Sequence, residues 1–518
     1  MSGTEALVRL LLEQSRIDRL NGIITKGLVS GYPGSPLGGL DIALGKAKAF
    51  LDEEGIHFQP AVNEELAATA LWGSQHINLY DNADIQGVFS MWYGKGPGLD
   101  RAMDALRHAN QGGVAPHGGM VIVVGDDPTG KSSTLAYQSD QNFHSLGIPY
   151  FFPKNVSEII PMGLEAFALS RHSGVCVGLK IVVDIADSNV VVDMSKLRPN
   201  LPKLKTNNLV HVTKHDPAGT RESKLHEIRL PAVHNWCKQS ENVTQTYFPA
   251  KKGKTRLGII GVGKISNEVN EALLALLPNN GKNNAIAFTA LNMPWPLPEH
   301  KLSDMLSVVD EVLVIEEKRS FVEEQVAKIC IKQGHHIFLS GKTTPDGMNL
   351  LPSYGELSLE NIINVVVARA SHHSISLNPT QKQPVVNVLR EIPTRQPYYC
   401  AGCPHNSSTK ASDDEIVGMG IGCHSISGFI NPDKITNFTQ MGGEGAFWIG
   451  RAPFSERSHS FQNMGDGTYA HSGYLGVRAA VAAGVNITFK MLVNDAVAMT
   501  GGQSVQGGSS PLSMSEQL

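Results

Sequence analysis

The sequence predicts an α/β protein made of several parallel-sheet units. Short apolar runs recur along it, and many end in loops rich in glycine or proline. Amphipathic helical runs separate them. Such alternation wraps a parallel sheet in helices. The 518 residues suit roughly two to four domains, and 41% hydrophobic against 18% charged is an ordinary globular balance.

The opening, MSGTEALVRLLLEQSRIDRLNG, sets leucine and valine at helical spacing among charges. It is an amphipathic helix and not a signal peptide. Residues 1–200 then alternate. LVSGYPGSP closes a strand in a Gly/Pro loop. GVFSMWYGKGPG repeats that form ahead of the helical LDRAMDALRHAN. MVIVVGDD, GIPYFFP and VGLKIVVDI read as further strands, and SEIIPMGLEAFALSRHSG as a helix. Residues 201–255 are polar and read as an irregular linker. A second α/β unit spans 256–345, with RLGIIGVGKISNEVNEALLALL as strand, glycine turn and helix, and EVLVIEEK as a later strand. Residues 346–395 read as helix and linker. A third unit, 396–518, opens at QPYYCAGCPHNSS and ends in the polar, Gly/Ser-rich GGQSVQGGSSPLSMSEQL.

Net charge is −4, with no block of like charge. That leaves no electrostatic footprint for nucleic acid or an anionic membrane. No apolar run reaches the length of a membrane span. The expectation is a cytoplasmic protein with no nucleic-acid or membrane partner.

One stretch, VIVVGDDPTGKSST from Val121, has the literal spacing of a phosphate-cradling P-loop. Its chemistry argues otherwise. Asp126 and Asp127 would repel phosphate, and Pro128 removes an N–H donor. On these residues alone a nucleotide site stays open.

The third unit carries more chemistry. In FQNMGDGTYAHSG a strand leads into Gly465, Asp466 and Gly467, and an alanine-rich helix follows. NITFKMLV is the next strand and ends at Asn494. Asp466 and Asn494 therefore fall at the carboxyl ends of two strands of one βαβ unit, where open sheets bind ligands. A carboxylate and an amide oxygen make a hard site suited to Mg²⁺ with a diphosphate. Gly465 and Gly467 let the backbone approach closely. The pattern GDG, 26 residues, Asn resembles the thiamine-diphosphate motif; Asp495 stands where many members have a second asparagine.

Of six cysteines, Cys176, Cys237 and Cys330 are scattered and read as buried thiols. Cys400 and Cys403 have C-x2-C spacing, and Cys423 follows in a glycine-flanked loop. An iron–sulfur cluster fits, as do a zinc site helped by His405 or His424, and inert thiols.

Together the segments resemble the 2-oxoacid:ferredoxin oxidoreductases, most closely the indolepyruvate ferredoxin oxidoreductases in their fused bacterial form. The resemblance rests on GYPGSPLGGLD, VNEELAATALWGSQ, GVFSMWYGKGPGLDRA, GDDPTGKSSTLAYQSD, YYCAGCPHNSST, GIGCHS, MGGEGAFWIG and GDGTYAHSG with NDAVAMTGGQ, in the family's order. It implies thiamine-diphosphate-fold, transketolase-like domains. Residues 1–200 would be the pyrimidine-binding type, 256–345 the transketolase C-terminal type, and 396–518 the diphosphate-binding domain. It also implies oxidative decarboxylation of an arylpyruvate such as indolepyruvate or phenylpyruvate, with coenzyme A and ferredoxin. The cofactors implied are thiamine diphosphate, Mg²⁺ and a 4Fe–4S cluster. The resemblance covers GDDPTGKSST, and it is what removes the expectation of nucleotide hydrolysis.

Carried over residue by residue, Glu64 is the glutamate that hydrogen-bonds the aminopyrimidine. Tyr32, Pro33, Gly34 and Ser35 form the loop beside the substrate. Glu444 and His471 are placed near cofactor or substrate. Gly465, Asp466, Gly467, Asn494 and Ala496 hold the cofactor, and Asp466, Asn494 and Ala496 the Mg²⁺. Cys400, Cys403 and Cys423 hold the cluster. Lys95 and Arg101 flank a glycine turn, with Arg101 read as a surface charge. The cofactor is expected between the first and third units, in at least a homodimer. A 4Fe–4S cluster needs four ligands and only three thiols stand on the expected loops. A downstream domain or companion subunit is expected to complete it. The alternatives are a non-redox thiamine-diphosphate decarboxylase or synthase, which has no use for the three cysteines, and a zinc-stabilised binding module.

Overall fold

The computed structural model describes all residues except 81–82, 132, 134, 278–283, 379–396, 413, 509 and 518. The chain divides into two compact units. One is Met1–Gln59 with Glu64–Lys382, the other Pro60–Asn63 with Gln383–Leu518.

The first unit holds two sheets. Strands β1 (Thr25–Gly31), β2 (Ile56–Phe58), β3 (Gly87–Lys95), β4 (Met120–Asp126), β5 (Tyr150–Phe151) and β6 (Val177–Val182) form a parallel sheet in the order β2-β1-β3-β4-β6-β5. Every residue of β4 and β6 is buried. Their unbroken apolar runs, in place of alternation, reflect a sheet covered on both faces. Helices Gly3–Leu20 and Val156–Ser173 pack together, as do Glu64–Ser74 and Gly96–Gly112. A Ser2–Glu5 capping box starts the first of these.

The second sheet runs β11-β10-β8-β9-β7, from β7 (Thr244–Phe248), β8 (Leu257–Val262), β9 (Ile286–Leu291), β10 (Glu311–Ile315) and β11 (Phe338–Ser340). It is parallel except for β7, which runs antiparallel to β9. The sequence reading treats the two sheets as separate units. Backbone bonds from Tyr150 to Trp295 and from Phe152 to Asn292 join them into one.

The segment read as an irregular linker, 201–255, is ordered. It holds helices Ala218–Lys224 and Leu230–Gln239, a π-helical turn Leu225–Arg229 between them, and β7. Its anchor is Arg229, fully buried, whose guanidinium donates to the carbonyls of Val210, Asn110, Gln111 and Gly112. Those last three carbonyls end helix Gly96–Gly112 and would otherwise lack partners. In the stretch read as helix and linker, helix Leu359–His372 packs Ile362, Val365, Val366 and Ala370 into the core of the second sheet; residues 379–395 of that stretch lie outside the described residues.

Glu311, on β10, ties this helix down. Its fully buried carboxylate accepts from Arg369 Nε and Nη2 at 2.7 Å each, from Ser340 Oγ at 2.6 Å, and faces His373 Nε2 at 2.8 Å. Burial alone would raise this carboxyl, but the bonds from Arg369, Ser340 and His373 bring it below the ordinary range. Glu311→Ala strands a nearly buried arginine and is expected to destabilise by about 3–5 kcal/mol. Because the folded-state affinity for the proton is depressed, the carboxylate's contribution is full above the unfolded pKa of about 4.3 and is lost as pH falls further. Urea unfolding at pH 7 and pH 3.5 checks both: the gap between parent and variant should shrink at low pH.

The second unit holds β12 (Val417–Met419), β13 (Ile435–Phe438), β14 (Ser460–Gly465) and β15 (Ile487–Leu492), parallel in the order β13-β12-β14-β15. Helix Tyr474–Ala482, entered through a π-helical turn Tyr469–Gly473, crosses from β14 to β15. The polar tail of the sequence reading is structured. A two-residue hairpin, β16 (Ala496–Val497) with β17 (Gln503–Ser504), precedes helix Pro511–Gln517. Met514 anchors that helix, buried against Met464, Tyr469 and Val477. Among the described residues no helix is long and apolar enough to cross a membrane.

Candidate active site

In the first unit the residues of interest gather at the carboxyl end of the parallel sheet. β1 and β3 are neighbours, with Gly31 opposite Tyr93. The loop after β1 carries Tyr32, buried, then Pro33, Gly34 and Ser35. Lys95 ends β3 and caps helix Gly96–Gly112 in extended conformation. A Cβ on Gly34 would sit 2.9 Å from Lys95 Cγ and Cδ, so the loop lies directly on the lysine stem.

Glu64 opens helix Glu64–Ser74 and is 5% exposed. Trp92 Nε1 donates to its backbone carbonyl at 3.0 Å, which pins the helix start to β3. A Cβ on Gly98 would fall 2.8 Å from Glu64 Oε1, so glycine there is what admits the carboxylate. Gly98 lies in the first turn of helix Gly96–Gly112. The Glu64 carboxylate thus meets the positive ends of two helices and the field of Lys95. Arg101, read as a surface charge, is half-buried.

The P-loop spacing is spent internally. Asp127 Oδ1 accepts from the backbone N–H of Thr129 and Gly130 and from Thr129 Oγ1. Asp126 Oδ2 accepts from Ser139 N and Oγ. The donors a phosphate would need are taken by carboxylates, and the next helix starts only at Asp140. Ser132 and Thr134 lie outside the described residues.

In the second unit Asp466 sits just past β14 and Asn494 just past β15, and the structure brings them together. Asp466 Oδ1 accepts from Gly467 N at 2.8 Å. Its Oδ2 accepts from Asn494 N at 2.9 Å and Asp495 N at 2.7 Å. Three backbone donors aim this carboxylate and leave it lone-pair capacity for a cation. Asn494 Oδ1 accepts from Ala496 N at 3.2 Å. A Cβ on Gly467 would touch only Val497, at 3.6 Å, so the loop's face is open.

Behind this loop lie buried polar atoms with no hydrogen-bond partner among the described residues. Both ring nitrogens of His424 are among them, with Glu444 Oε1 and both ends of the Asn463 amide. His424 Nε2 and Glu444 Oε1 are 3.8 Å apart, both side chains fully buried. Glu444 Oε2 accepts from Gly442 N. Leaving such atoms unpaired costs about 1–3 kcal/mol each, and a polar ligand is one explanation of them. The Asp466 carboxylate and the Asn494 amide oxygen, both hard donors, are of the kind that suits a cation such as Mg²⁺. His471 is 4% exposed, its Nδ1 2.6 Å from Ser472 Oγ and its carbonyl accepting from Asn63.

The cysteines of this unit are the accessible ones. Cys400 is exposed, Cys403 and Cys423 half-buried, and the N–H of Cys403 closes a turn onto the Cys400 carbonyl. Burial raises the Cys423 thiol, and Cys403, Cys400 and Asp466 raise it further. Those thiols and the Asp466 carboxylate therefore share one neighbourhood. Among the described residues, the one set of three ligand atoms within 4.8 Å is Glu311, His372 and His373. Cys400, Cys403 and Cys423 stand wider than the roughly 3.8 Å between thiolates on one tetrahedral zinc. Cys176, Cys237 and Cys330 are buried in the first unit, the first two pushed up to about 12 by burial.

Residues 249–382, which hold every strand of the second sheet but β7, match the model of the indolepyruvate oxidoreductase domain. "Indolepyruvate oxidoreductase subunit IorA" of Methanothermobacter marburgensis is 26% identical, over 98% of this chain and 76% of that protein. The protein of the same name from Pyrococcus abyssi is 26% identical over the same shares. The chain resembles IorA along nearly its whole length. The IorA likeness covers both units, and its relatives are subunits by name. Among solved structures, a 2-oxoglutarate:ferredoxin oxidoreductase from Magnetococcus marinus is 15% identical, covering 71% of this chain and 64% of that one at TM-score 0.47, too distant to decide anything about the site.

Two residues, one in each unit, carry no clear signal in sequence. Lys95 reads there only as one flank of a glycine turn. His424 reads as a zinc candidate, and what marks it in the structure is its burial with no hydrogen-bond partner among the described residues.

Proposed function

We propose that this IorA-like chain is a thiamine-diphosphate-dependent 2-oxoacid oxidoreductase subunit. The reaction is R–CO–COO⁻ + HS–CoA → R–CO–S–CoA + CO₂ + H⁺ + 2e⁻. The C–C bond to the carboxylate breaks, a C–S bond forms, and the two electrons leave singly toward ferredoxin. The substrate is an arylpyruvate, as the relatives' name suggests. The observation that carries the reading is the neighbourhood of Cys400, Cys403 and Cys423 around Asp466. A decarboxylase without redox chemistry has no use for thiolates beside its diphosphate loop.

Bound thiamine diphosphate supplies a nucleophilic thiazolium carbon and an electron sink. Everything else falls to the chain's own residues. Asp466, Asn494 and the backbone of Ala496 hold Mg²⁺ and with it the diphosphate. Glu64 exchanges a proton with the aminopyrimidine ring. The Tyr32–Ser35 loop borders the substrate. Glu444 and His424 line the buried side of the diphosphate loop. Cys400, Cys403 and Cys423 are three ligands of a 4Fe–4S cluster, the fourth coming from a companion subunit or further domain, and the enzyme works as at least a homodimer in the cytoplasm.

The test is anaerobic turnover with phenylpyruvate, coenzyme A, thiamine diphosphate, Mg²⁺ and methyl viologen. Viologen reduction matched to acyl-CoA supports the reading. CO₂ and free aldehyde with no viologen reduction would replace it with a non-redox decarboxylase.

A further inference from the structure

A 2-oxoacid brings a carboxylate next to the carbonyl that reacts, and no residue named so far receives it. We propose that Lys95 binds that carboxylate and makes the site select a 2-oxoacid over a neutral ketone of the same size. The inference rests on the proposed function.

Lys95 stands at the carboxyl end of β3, the end at which open parallel sheets take their ligands. Its stem lies along Gly34, in the loop assigned to the substrate side. Its charge is felt at Glu64, the assigned acid–base group. The ammonium offers three donors, and among the described residues it makes no hydrogen bond and no ion pair within 4 Å. Half-buried and without a bound acceptor, it is poised to gain from one.

Three other lysines of this unit are engaged. Lys180 donates to Asp140 at 2.6 Å, Lys264 pairs with Asp184 and Glu356 at 2.5 Å each, and Lys318 donates to the Pro128 carbonyl. Burial lowers the affinity of Lys95 for its proton and Glu64 restores part of it. An arriving carboxylate would restore more, so ligand and ammonium stabilise each other. An ion pair shielded from water is also worth more than one on the surface.

The rival role is that of a counter-ion to Glu64 alone. Calorimetric titration of protein loaded with Mg²⁺–thiamine diphosphate separates the two and needs no turnover. The probes are 3-phenylpropionate, which carries the carboxylate, and 4-phenylbutan-2-one, a neutral ketone of similar size. Lys95→Met should weaken 3-phenylpropionate by about tenfold or more while the ketone changes by less than about twofold. Lys95→Arg should keep most of the carboxylate affinity. Should Lys95→Met fold poorly, Lys95→Gln takes its place. Carboxylate affinity within about twofold of the parent, or an equal loss for both probes, would overturn the assignment. So would a parent protein that binds the cofactor but not 3-phenylpropionate. A parent that binds no thiamine diphosphate at all brings down the function reading, and this one with it.

Discussion

Glu64→Gln is expected to leave the protein folded and to lower turnover by about 10²–10⁴-fold, the usual worth of a positioned acid–base group. The substitution keeps the volume beside Gly98, and the Trp92 bond goes to the backbone carbonyl of residue 64, which is untouched. The stability change includes the loss of one charge beside Lys95 and near two helix ends, the helix ends contributing about 0.3–1 kcal/mol each. An amide accepts a hydrogen bond but does not exchange the proton that the aminopyrimidine needs moved. Steady-state kinetics with phenylpyruvate, beside a melting curve, checks it. Parent-like turnover in the variant means that Glu64 is the wrong residue.

Asp466→Ala is expected to weaken Mg²⁺–thiamine diphosphate by more than about a hundredfold, near 3 kcal/mol. Two losses add. A charged oxygen disappears from the cation's shell. The N–H groups of Gly467, Asn494 and Asp495 also lose their common acceptor, so the two loops are no longer held together. Asp466→Asn keeps part of the second effect and loses the first, and should fall between. Calorimetric titration of the cofactor in the presence of Mg²⁺ reads both variants. Unchanged affinity in Asp466→Ala would rule out this loop as the diphosphate site.

Much of the fold was legible because both faces of each central strand are covered. β3, β4, β6, β8 and β10 read as apolar runs for that reason, and the loops at their ends announce themselves by glycine and proline. The short or edge strands β2, β7, β12 and β13 carry too few residues for a period to show. The segment 201–255 looked irregular because much of its order comes from long-range polar anchors: Arg229 on helix-end carbonyls, and Trp236, Ser240 and Asn242 on the buried Glu165 carboxylate. The helix Pro511–Gln517 depends in the same way on distant contacts, Met514 in the apolar cluster and Gln517 accepting from the Tyr469 hydroxyl.

The diphosphate loop was legible because motif and strand–turn–helix context agree at Gly465–Gly467 and Asn494. The P-loop spacing misleads for the opposite reason: the letters match, but Asp127 consumes the donors. Lys95 and His424 escaped because what distinguishes them is burial with no hydrogen-bond partner among the described residues, which only three dimensions reveal.

The measurement that bears most directly on the central claim is the thiamine, iron, zinc and acid-labile sulfide content of protein purified without oxygen. The redox reading predicts bound thiamine diphosphate together with iron and sulfide, in amounts that fall when Cys423 is replaced by serine. Thiamine diphosphate with neither iron nor sulfide, or zinc with no thiamine diphosphate, would contradict it.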